Sequence, residues 1–406
     1  MHGSEWHRAR LAPIDVVLVA SLLMAVGLAG CGSPAPAGPP SASSVSPAVA
    51  TRKAGPSLAS SASGSSGSSS LLPTASPGLP STAVTAFYYA WYGTLANDGA
   101  WRHWNQNGHQ PPGDIASQYY PQSGPYSSRD PAILATQMAD LRAARIGVIA
   151  VSWWGRGGWD DQTLPALFTA AAAAGVQISF HLEPYTGQSA ASIVADIRYL
   201  LGRFGTSPAL YRVARPTSAD ASTAPRPVFY VFAPSRLAAT DLKTAFGSLR
   251  GTADDSIIMI HSPKAISAVH DGGDGVYTYD PVGSPDAFAA LVADCRTADI
   301  ICSPSVSPGF DNRQAVSTGQ QVVDRQNGTR YDATWQAAVA ARPEWISVVS
   351  FNEWHEGTEI EPAVDYSSGS RTYQGFEGAY GTTGSDAPGA YLRRTAYWVG
   401  LFTPAS

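Results

Sequence analysis

Eight short apolar runs, rich in β-branched and aromatic residues, recur along the chain from residue 84 onward. They are Val84–Trp91, Ile146–Trp153, Val176–Leu182, Pro227–Phe232, Ser256–Ile260, Gly275–Tyr279, Ile300–Val306 and Trp345–Phe351. Helical patterns lie between most of them and after the last, at Asp130–Ala144, Leu164–Ala174, Ala190–Phe204, Ala238–Leu249, Asp286–Thr297, Tyr331–Ala341 and Ala390–Phe402. Strands that alternate with helices indicate a parallel sheet, and eight of them predict an α/β fold, a single (β/α)8 TIM barrel. A doubly wound open sheet is the alternative, but no GxGxxG motif follows the first run, which disfavours it.

The N-terminus has the pattern of an export signal. Arg8 and Arg10 precede an apolar run, Leu11–Leu28, which ends in Leu28-Ala29-Gly30-Cys31. A positive region, an apolar region and small residues before a cleavage site are typical of secretory signals, and a Cys in this place resembles the lipobox of bacterial lipoproteins. We therefore expect residues 1–30 to be a lipoprotein signal peptide and Cys31 to carry the lipid. The expected location is the outer face of a bacterial cell membrane. An ordinary transmembrane anchor, or secretion with Cys31 incidental, is the alternative.

A segment of low complexity follows the signal. Of the 49 residues from 32 to 80, 39 are Ser, Pro, Ala or Gly, without apolar periodicity. Such a composition cannot bury enough apolar surface to offset its ordering entropy. Residues 31–83 are therefore predicted to be a disordered tether, and residues 84–406 the folded domain. Outside the signal no apolar run is long enough to span a bilayer.

Charge and cysteine content exclude several classes of protein. A net charge of -5 argues against a nucleic-acid partner, and three Cys without a CxxC pair argue against a disulfide-dense scaffold or a structural zinc site. Cys295 is expected at the end of a helix and Cys302 in the next strand. Since disulfides persist in exported proteins, we expect a disulfide between them, with two small buried thiols as the alternative.

Polar, aromatic and acidic residues follow several of the predicted strands. The segments are Tyr88-Tyr89-Ala90-Trp91-Tyr92, Ser152-Trp153-Trp154, His181-Leu182-Glu183-Pro184-Tyr185, Ile260-His261, Tyr277-Thr278-Tyr279 and Asn352-Glu353-Trp354-His355-Glu356. The chain has 11 Trp and 18 Tyr. The usual role of aromatic residues is core packing. A more specific interpretation is that some of them stack on sugar rings. Because barrel active sites lie at the C-terminal ends of the strands, these segments predict one site at that rim.

The segment after the last strand contains two candidate catalytic carboxyl groups. Glu353 and Glu356 lie three residues apart, just beyond a buried run. Glycoside hydrolysis uses two carboxyl groups that flank the scissile bond, whereas a helix N-terminus decorated with Glu is the plainer alternative. A metal site is less favoured because His355-Glu356 lacks the HExxH spacing. His103, His181 and His261 could still assemble around it in space.

The chain resembles glycoside hydrolase family 99, the endo-α-1,2-mannosidases and endo-α-1,2-mannanases. The matching segments run in the family's order from Phe87 to Pro362. They are Phe87–Gly93, Asp98–Asn105, Tyr120-Pro121 with Gly124–Ser128, Val151–Trp154, Phe180–Tyr185, Asp274–Tyr279, Pro304–Phe310 and Ser350–Pro362. The family has a (β/α)8 barrel fold, which agrees with the strand count.

The resemblance implies a retaining, endo-acting hydrolase that cleaves α-mannosidic linkages in α-1,2-branched mannan or mannose-rich glycans. In the family's proposed mechanism, the residue matching Glu353 takes the proton of the sugar 2-hydroxyl, and a 1,2-anhydro sugar forms. The residue matching Glu356 protonates the leaving oxygen and then activates water. The resemblance implies no metal or organic cofactor. We expect Glu353 to be ionised and Glu356 to be protonated near neutral pH.

Further residues are expected to contact the glycan. Trp154 matches a position that faces the -2 sugar, where Trp indicates mannose rather than glucose. Glu183 and Tyr185 are expected to hold sugar hydroxyls, and Asn352 to orient a sugar hydroxyl or Glu353. Tyr89, Trp101 and His103 are expected ligand contacts. Tyr277 and Tyr279 are interpreted as alternating along a strand, so that only one faces the cleft.

Three departures from the family pattern bear on substrate length and branching. Ser123 stands where Leu is common, Phe310 replaces a usual Tyr, and Arg215–Arg226 is an insertion expected to be disordered.

A non-catalytic glycan-binding lipoprotein is the main alternative function, although a binder needs neither an acid nor a base. A related barrel hydrolase acting on another α-glycan is the alternative among enzymes. The protein is expected to be a monomer.

Overall fold

The computed structural model describes residues 78–214 and 224–405, and eight parallel strands form a barrel within them. The strands are β1 (Ser81–Tyr88), β2 (Ile146–Trp153), β3 (Gln177–Leu182), β4 (Arg226–Val231), β5 (Ile257–His261), β6 (Gly275–Tyr277), β7 (Ile301–Ser303, continued by Ser305–Val306) and β8 (Ile346–Val348). Each strand pairs with the next, and β8 pairs with both β7 and β1. This pairing closes the sheet, so the barrel prediction is confirmed and the open sheet is excluded.

A helix follows every strand, as the barrel topology requires. The helices are α1 (Pro131–Ala143), α2 (Trp159–Ala174), α3 (Ala190–Phe204), α4 (Ala239–Gly247), α5 (Ala265–Asp271), α6 (Phe288–Ala298), α7 (Thr329–Ala341) and α8 (Ala390–Leu401). Helix α1 begins as predicted, with Asp130 as the N-cap that accepts a hydrogen bond from the Ala132 amide and with Pro131 in the first turn.

Short elements decorate the loops. A helical turn covers Leu95–Asp98, and short 3-10 turns cover Gln106–Gly108, Pro234–Arg236, Pro285–Ala287, Gln326–Gly328, Ala379–Gly381 and Gly384–Asp386. Antiparallel pairs join Tyr120–Pro121 to Ala363–Val364, Phe310–Asp311 to Val322–Val323, and Tyr366–Ser368 to Arg371–Tyr373, while Arg212–Val213 pairs with β4.

Aromatic side chains fill the interior of the barrel. Phe87 of β1 packs against Tyr230 of β4 and Tyr277 of β6, with ring centroids 5.9 and 5.6 Å apart. All three side chains are fully buried. The barrel is therefore a packed core, and ligands must be received at its rim.

The disulfide expected between Cys295 and Cys302 is not formed. Both residues are free and fully buried, at the end of α6 and in β7. The adjacent Cys295 thiol and burial both raise the pKa of Cys302. Since only the thiolate is reactive, this environment makes Cys302 an inert packing residue.

Several expectations from the sequence lie outside the described residues. These are the signal peptide, the lipidated Cys31, the tether before residue 78 and most of the Arg215–Arg226 insertion. Strand β1 begins at Ser81 rather than at Val84. Within residues 78–214 and 224–405, none of the helices combines the length and apolar character needed to cross a membrane.

Candidate active site

The segment after β8 carries two carboxylates and contains no helix, so the interpretation as a decorated helix N-terminus is wrong. The Ser350 hydroxyl accepts a hydrogen bond from the Glu353 amide at 2.8 Å. Glu353 Oε1 accepts one from the His355 amide at 3.2 Å. Glu353 is only 2% exposed, and its Oε2 has no hydrogen-bond partner. A buried acceptor without a donor is costly in a native fold, and at a barrel rim it is available to a ligand hydroxyl.

Glu356 is held by side chains from the opposite part of the rim. Tyr279, just beyond β6, donates to Glu356 Oε2 at 2.9 Å. The Tyr279 and Tyr89 hydroxyls are 2.6 Å apart, which links the end of β1 to the same group. Three strands therefore converge on the carboxylates, as predicted for this rim.

The pKa of Glu356 is shifted in the expected direction, whereas the pKa of Glu353 is shifted against the expectation that this carboxyl group is ionised. Burial raises the pKa of Glu353 well above its usual range, and the nearby charge of Glu356 raises it further. Burial also raises the pKa of Glu356 to about 7, although the hydrogen bond from Tyr279 opposes the shift. Both shifts favour the protonated form of the carboxyl group.

The interpretation of Tyr277 and Tyr279 as facing opposite sides is wrong. Residues i and i+2 of a strand share a face, so both side chains point inward. Tyr277 lies deeper and contacts His181 Nε2 through its hydroxyl at 2.8 Å. Tyr279 lies above it at the rim and contacts Glu356.

Asn352 joins the catalytic segment to β1 and has no polar atom to spare for a sugar. Its Oδ1 accepts from the Tyr89 amide at 2.8 Å, and its Nδ2 donates to the Tyr89 carbonyl at 3.0 Å. Nδ2 also donates to the Tyr126 hydroxyl at 3.2 Å. Asn352 is fully buried, so it positions the loop that carries Glu353 and does not bind a sugar hydroxyl.

Three rings form an aromatic wall beside the carboxylates. His103 stacks on Trp91 with centroids 4.3 Å apart and planes 9° apart. Trp91 stacks on Trp154 at 6.3 Å and 27°, and its ring is 4.8 Å from that of Tyr89. Flat, partly exposed rings in a row offer a surface on which a sugar face can stack.

Glu183 lies in a hydrogen-bonded chain that ends at this wall. The Trp154 indole donates to Ser152 Oγ at 3.0 Å, and Ser152 donates to Glu183 Oε1 at 2.9 Å. His181 Nδ1 lies 2.8 Å from the same oxygen. The second carboxylate oxygen of Glu183 is left for other partners.

The structure does not place Tyr185 and Trp101 as expected. The Tyr185 hydroxyl donates to Asp196 Oδ2 at 2.6 Å and lies 2.9 Å from Ser192 Oγ on α3. Its one proton is therefore donated to helix α3, so a sugar could reach the hydroxyl only as a donor. Trp101 is partly buried against the core, and in the described part of the chain it makes no hydrogen bond or ring contact with the carboxylates.

Sequence reasoning missed a buried layer beneath the catalytic segment. Arg325 Nη2 donates to the carbonyls of Gly357 and Glu359 and to Glu359 Oε1, at 2.9, 2.8 and 2.6 Å. Glu361 accepts from Tyr126 and other buried donors. The two glutamates stand in the same motif as the catalytic pair, but nothing in the sequence locates their partners.

Among residues 78–214 and 224–405 no group of three or more His, Cys, Asp or Glu side chains is arranged to hold a metal ion. The histidines that could have assembled are separated by their own contacts. His181 is hydrogen-bonded to Tyr277. His261 stacks on Phe232 with ring centroids 4.6 Å apart, and His103 stacks on Trp91.

Comparisons with known proteins agree on one family. The model of glycosyl hydrolase family 99 matches residues 81–403. A glycoprotein endo-α-1,2-mannosidase-like protein of Danio rerio is 33% identical over 358 residues, covering 79% of this chain and 78% of the relative. The glycoprotein endo-α-1,2-mannosidase of Rattus norvegicus is 31% identical over 352 residues, covering 78% of this chain and 74% of the relative. The solved structure of the GH99 endo-α-mannosidase from Bacteroides thetaiotaomicron superposes with a TM-score of 0.70 at 29% identity, covering 79% of this chain and 97% of that chain.

Proposed function

The chain belongs to glycosyl hydrolase family 99 and is a glycoside hydrolase, and from this premise we propose that it cleaves α-mannosidic linkages within α-1,2-branched mannan or mannose-rich glycans. The observation that supports this best is the pair of carboxylates at the barrel rim beside an aromatic wall, of which Glu353 is buried and Glu356 half-buried. The names of its relatives, endo-α-1,2-mannosidases, support mannose as the sugar and internal cleavage as the mode.

Glu353 is the proposed base. Its unpartnered Oε2 is the natural acceptor for a 2-hydroxyl of the sugar in the -1 subsite. A donor at this atom favours the ionised carboxylate, so the bound substrate itself stabilises the charged form that a base requires. Loss of the hydroxyl proton to Glu353 lets the oxygen attack the anomeric carbon, giving a 1,2-anhydro sugar. Opening by water then restores the original anomeric configuration.

Glu356 is the proposed acid. With a pKa raised to about 7, it carries a proton for a substantial part of the time at neutral pH and can deliver it to the leaving oxygen. The resulting carboxylate then activates the incoming water. Trp154, in the aromatic wall, is the proposed platform for the -2 mannose.

Cleavage of mannan is the direct test of the function. The full-length protein is incubated with yeast-type α-1,2-branched mannan and with a panel of α-glucans, and the released oligosaccharides are analysed. Oligosaccharides from mannan alone, with the α-configuration retained in the first product, are expected. Release from a glucan alone would overturn the mannose assignment.

Two variants separate the acid from the base. Glu356→Gln should lose about 10²–10⁴-fold on mannan but less in the first step with an aryl or fluoride leaving group, which needs little protonation. Glu353→Gln should be severely impaired on every substrate, because the 2-hydroxyl is no longer activated. Rapid cleavage of a 2-deoxy substrate through a covalent adduct on Glu353 would contradict the 1,2-anhydro route. Near-normal cleavage of mannan by the double variant would remove the site from this segment.

We also propose that Cys31 anchors the protein to the outer face of the cell membrane, since it follows Leu28-Ala29-Gly30. Cys31→Ser should abolish labelling by a fatty acid and release the protein from the membrane fraction, or leave it unprocessed. Equal fatty-acid labelling with and without Cys31 would contradict the anchor.

A further inference from the structure

We propose that His355 is the proton partner of Glu353: it accepts the Glu353 proton at Nδ1 when substrate binds, and so prepares Glu353 to act as the base. The inference rests on the proposed role of Glu353. It assigns His355 as a positioning residue that acts through the carboxylate and not on the sugar.

The tautomer of His355 is fixed by a backbone carbonyl. His355 Nε2 lies 2.9 Å from the carbonyl oxygen of His103. A carbonyl can only accept, so Nε2 must carry a proton. Burial lowers the pKa of His355 to about 4, so the ring is neutral in the ligand-free enzyme. The other nitrogen, Nδ1, is then an unprotonated acceptor.

The backbone of His103 has an unusual conformation at the carbonyl that contacts His355. His103 is a non-glycine residue with φ at +63°, a left-handed conformation that costs free energy and persists where the surroundings impose it. Its ring stacks on Trp91, which holds the residue in place. The carbonyl is thereby turned to His355.

The free nitrogen of His355 faces the carboxyl group. Nδ1 lies 3.4 Å from Glu353 Oε1, and both side chains are less than a tenth exposed. The His355 amide donates to the same oxygen. A bare nitrogen lone pair beside an ionised carboxylate would be repulsive, so the ligand-free pair is a Glu353 carboxylic acid and a neutral imidazole. The two atoms are within ion-pair distance but not in hydrogen-bond geometry, and catalytic contacts of this kind are often long or poorly aligned before substrate binds and then tighten.

No other basic side chain in the described ranges can take this proton. His355 is the one basic group within 4.0 Å of Glu353 there. The charged or titratable groups that otherwise bear on Glu353 are Glu183, Glu356, Glu359, Tyr89, Tyr92 and Tyr279. The basic groups near His355 are His103 and His109.

The proton balance is simple. When the sugar 2-hydroxyl donates to Oε2, the carboxylate form is stabilised, and the proton on Oε1 passes to Nδ1. The products are a carboxylate and an imidazolium, whose Nδ1 and Nε2 protons point to Glu353 and to the His103 carbonyl. The carboxylate then takes the 2-hydroxyl proton through Oε2 as the anomeric carbon–oxygen bond forms.

Two substitutions at His355 separate proton exchange from mere positioning. In His355→Gln the side-chain amide can keep the hydrogen bond to the His103 carbonyl, and in His355→Asn it can keep the contact with Glu353, but neither can take up a proton. Both should lower kcat on mannan about 10–100-fold with KM changed less than threefold. Both should move the acid limb of the kcat/KM profile to higher pH, because Glu353 then holds its proton longer. A wild-type acid limb in either variant would overturn the proposal.

A spectroscopic readout is independent of turnover. In the full chain labelled with 15N-histidine, the His355 resonance, identified by its loss in His355→Gln, should report Nε2–H and a bare Nδ1 at pH 7. Addition of α-1,2-mannotriose to the Glu356→Gln variant should protonate Nδ1. A bare Nε2, or no change when the trisaccharide demonstrably binds, would reject the proton partner. Failure of the wild type to cleave mannan would instead reject the proposed function, while the tautomer of the ligand-free enzyme would still be read.

Discussion

The pKa of Glu356 depends on one hydrogen bond from a tyrosine at the rim. Tyr279 donates to its Oε2, which favours the ionised carboxylate and lowers the pKa relative to burial alone. Tyr279→Phe should therefore raise the pKa of Glu356 above about 7. If Glu356 must be protonated to act, the alkaline limb of the kcat/KM profile moves to higher pH. The measurement is the pH dependence of mannan cleavage in both proteins.

The matched variant for this experiment is Tyr89→Phe. It removes the hydroxyl 2.6 Å from that of Tyr279 but leaves the bond to Glu356 in place. A smaller displacement of the alkaline limb is expected. An alkaline limb that does not move in Tyr279→Phe would mean that the acid is a different group.

Trp154 tests the aromatic wall. Its ring is partly exposed and stacks on Trp91, so Trp154→Ala removes a stacking face that contributes about 1 kcal/mol. We expect KM for substrates that occupy the -2 subsite to rise about five-fold, with a smaller effect on kcat. Trp154→Phe, which keeps a ring but loses the indole bond to Ser152, should lie between. An unchanged KM in Trp154→Ala would place the residue in packing alone.

For single residues, the sequence predicts which chemical groups lie at the site but not which hydrogen bonds those groups make. The motif after the last strand placed Glu353 and Glu356 at the rim because a strand end fixes where the next residues emerge. The partner of the Tyr185 hydroxyl, Asp196, lies on the next helix. Of the two roles expected for Asn352, the structure favours the orientation of Glu353, and the partner through which it acts, the Tyr89 backbone, is 263 residues away. Such pairings follow from three-dimensional packing and leave no local pattern.

Among the secondary-structure elements, the link between β1 and the catalytic segment rests on Asn352. Its side chain makes two hydrogen bonds with the Tyr89 backbone in a fully buried place. Asn352→Ala should leave the Tyr89 amide and carbonyl unpaired, which costs about 1–3 kcal/mol for each group. We expect a lower free energy of unfolding in urea and a lower kcat, because the loop that carries Glu353 loses its anchor.

Thr395→Ala is a suitable control for that variant. It removes a buried hydrogen bond between Tyr331 of α7 and Thr395 of α8, away from the catalytic segment. Stability should fall while kcat stays near the wild-type value. If Asn352→Ala were destabilised and yet kept full kcat, the anchoring role would be wrong.

The strands were predictable, and the exceptions have local causes. Each of the eight runs overlaps a barrel strand, since buried parallel strands read as continuous apolar runs. Helix α5, Ala265–Asp271, was missed because seven residues are too short to show a helical period. Helix α2 begins at Trp159, before the predicted Leu164, and accommodates Pro165 inside it. Strand β7 is interrupted at Pro304, which has no amide to donate.

For the whole molecule, the barrel and its closure could be argued from the sequence, whereas the buried acid layer could not. Composition indicates how many acids there are but not which are buried. The fold buries Glu359 against Arg325, and Glu361 among Tyr126, Gln137 and Trp354. These carboxyls support the catalytic segment from beneath, and their number has a consequence for stability.

Buried carboxyls should make the folded protein more stable in mildly acidic solution than at alkaline pH. Burial raises the pKa of Glu361 to about 7 and that of Glu359 to about 8, and raises those of Asp140 and Asp160 to about 6. Between the ordinary carboxyl pKa near 4 and these raised values, the folded state binds more protons than the unfolded state. The free energy of unfolding therefore falls as pH rises through this window. We expect Tm of the full-length protein to drop by several degrees, on the order of 2 °C per kcal/mol, between pH 5 and pH 8.

Glu361→Gln, which stays neutral at every pH, should show a lower Tm at pH 5 but a flatter dependence on pH. A Tm that rises steadily from pH 5 to pH 8 would mean that these carboxyls are ionised in the fold and are stabilised by their donors instead.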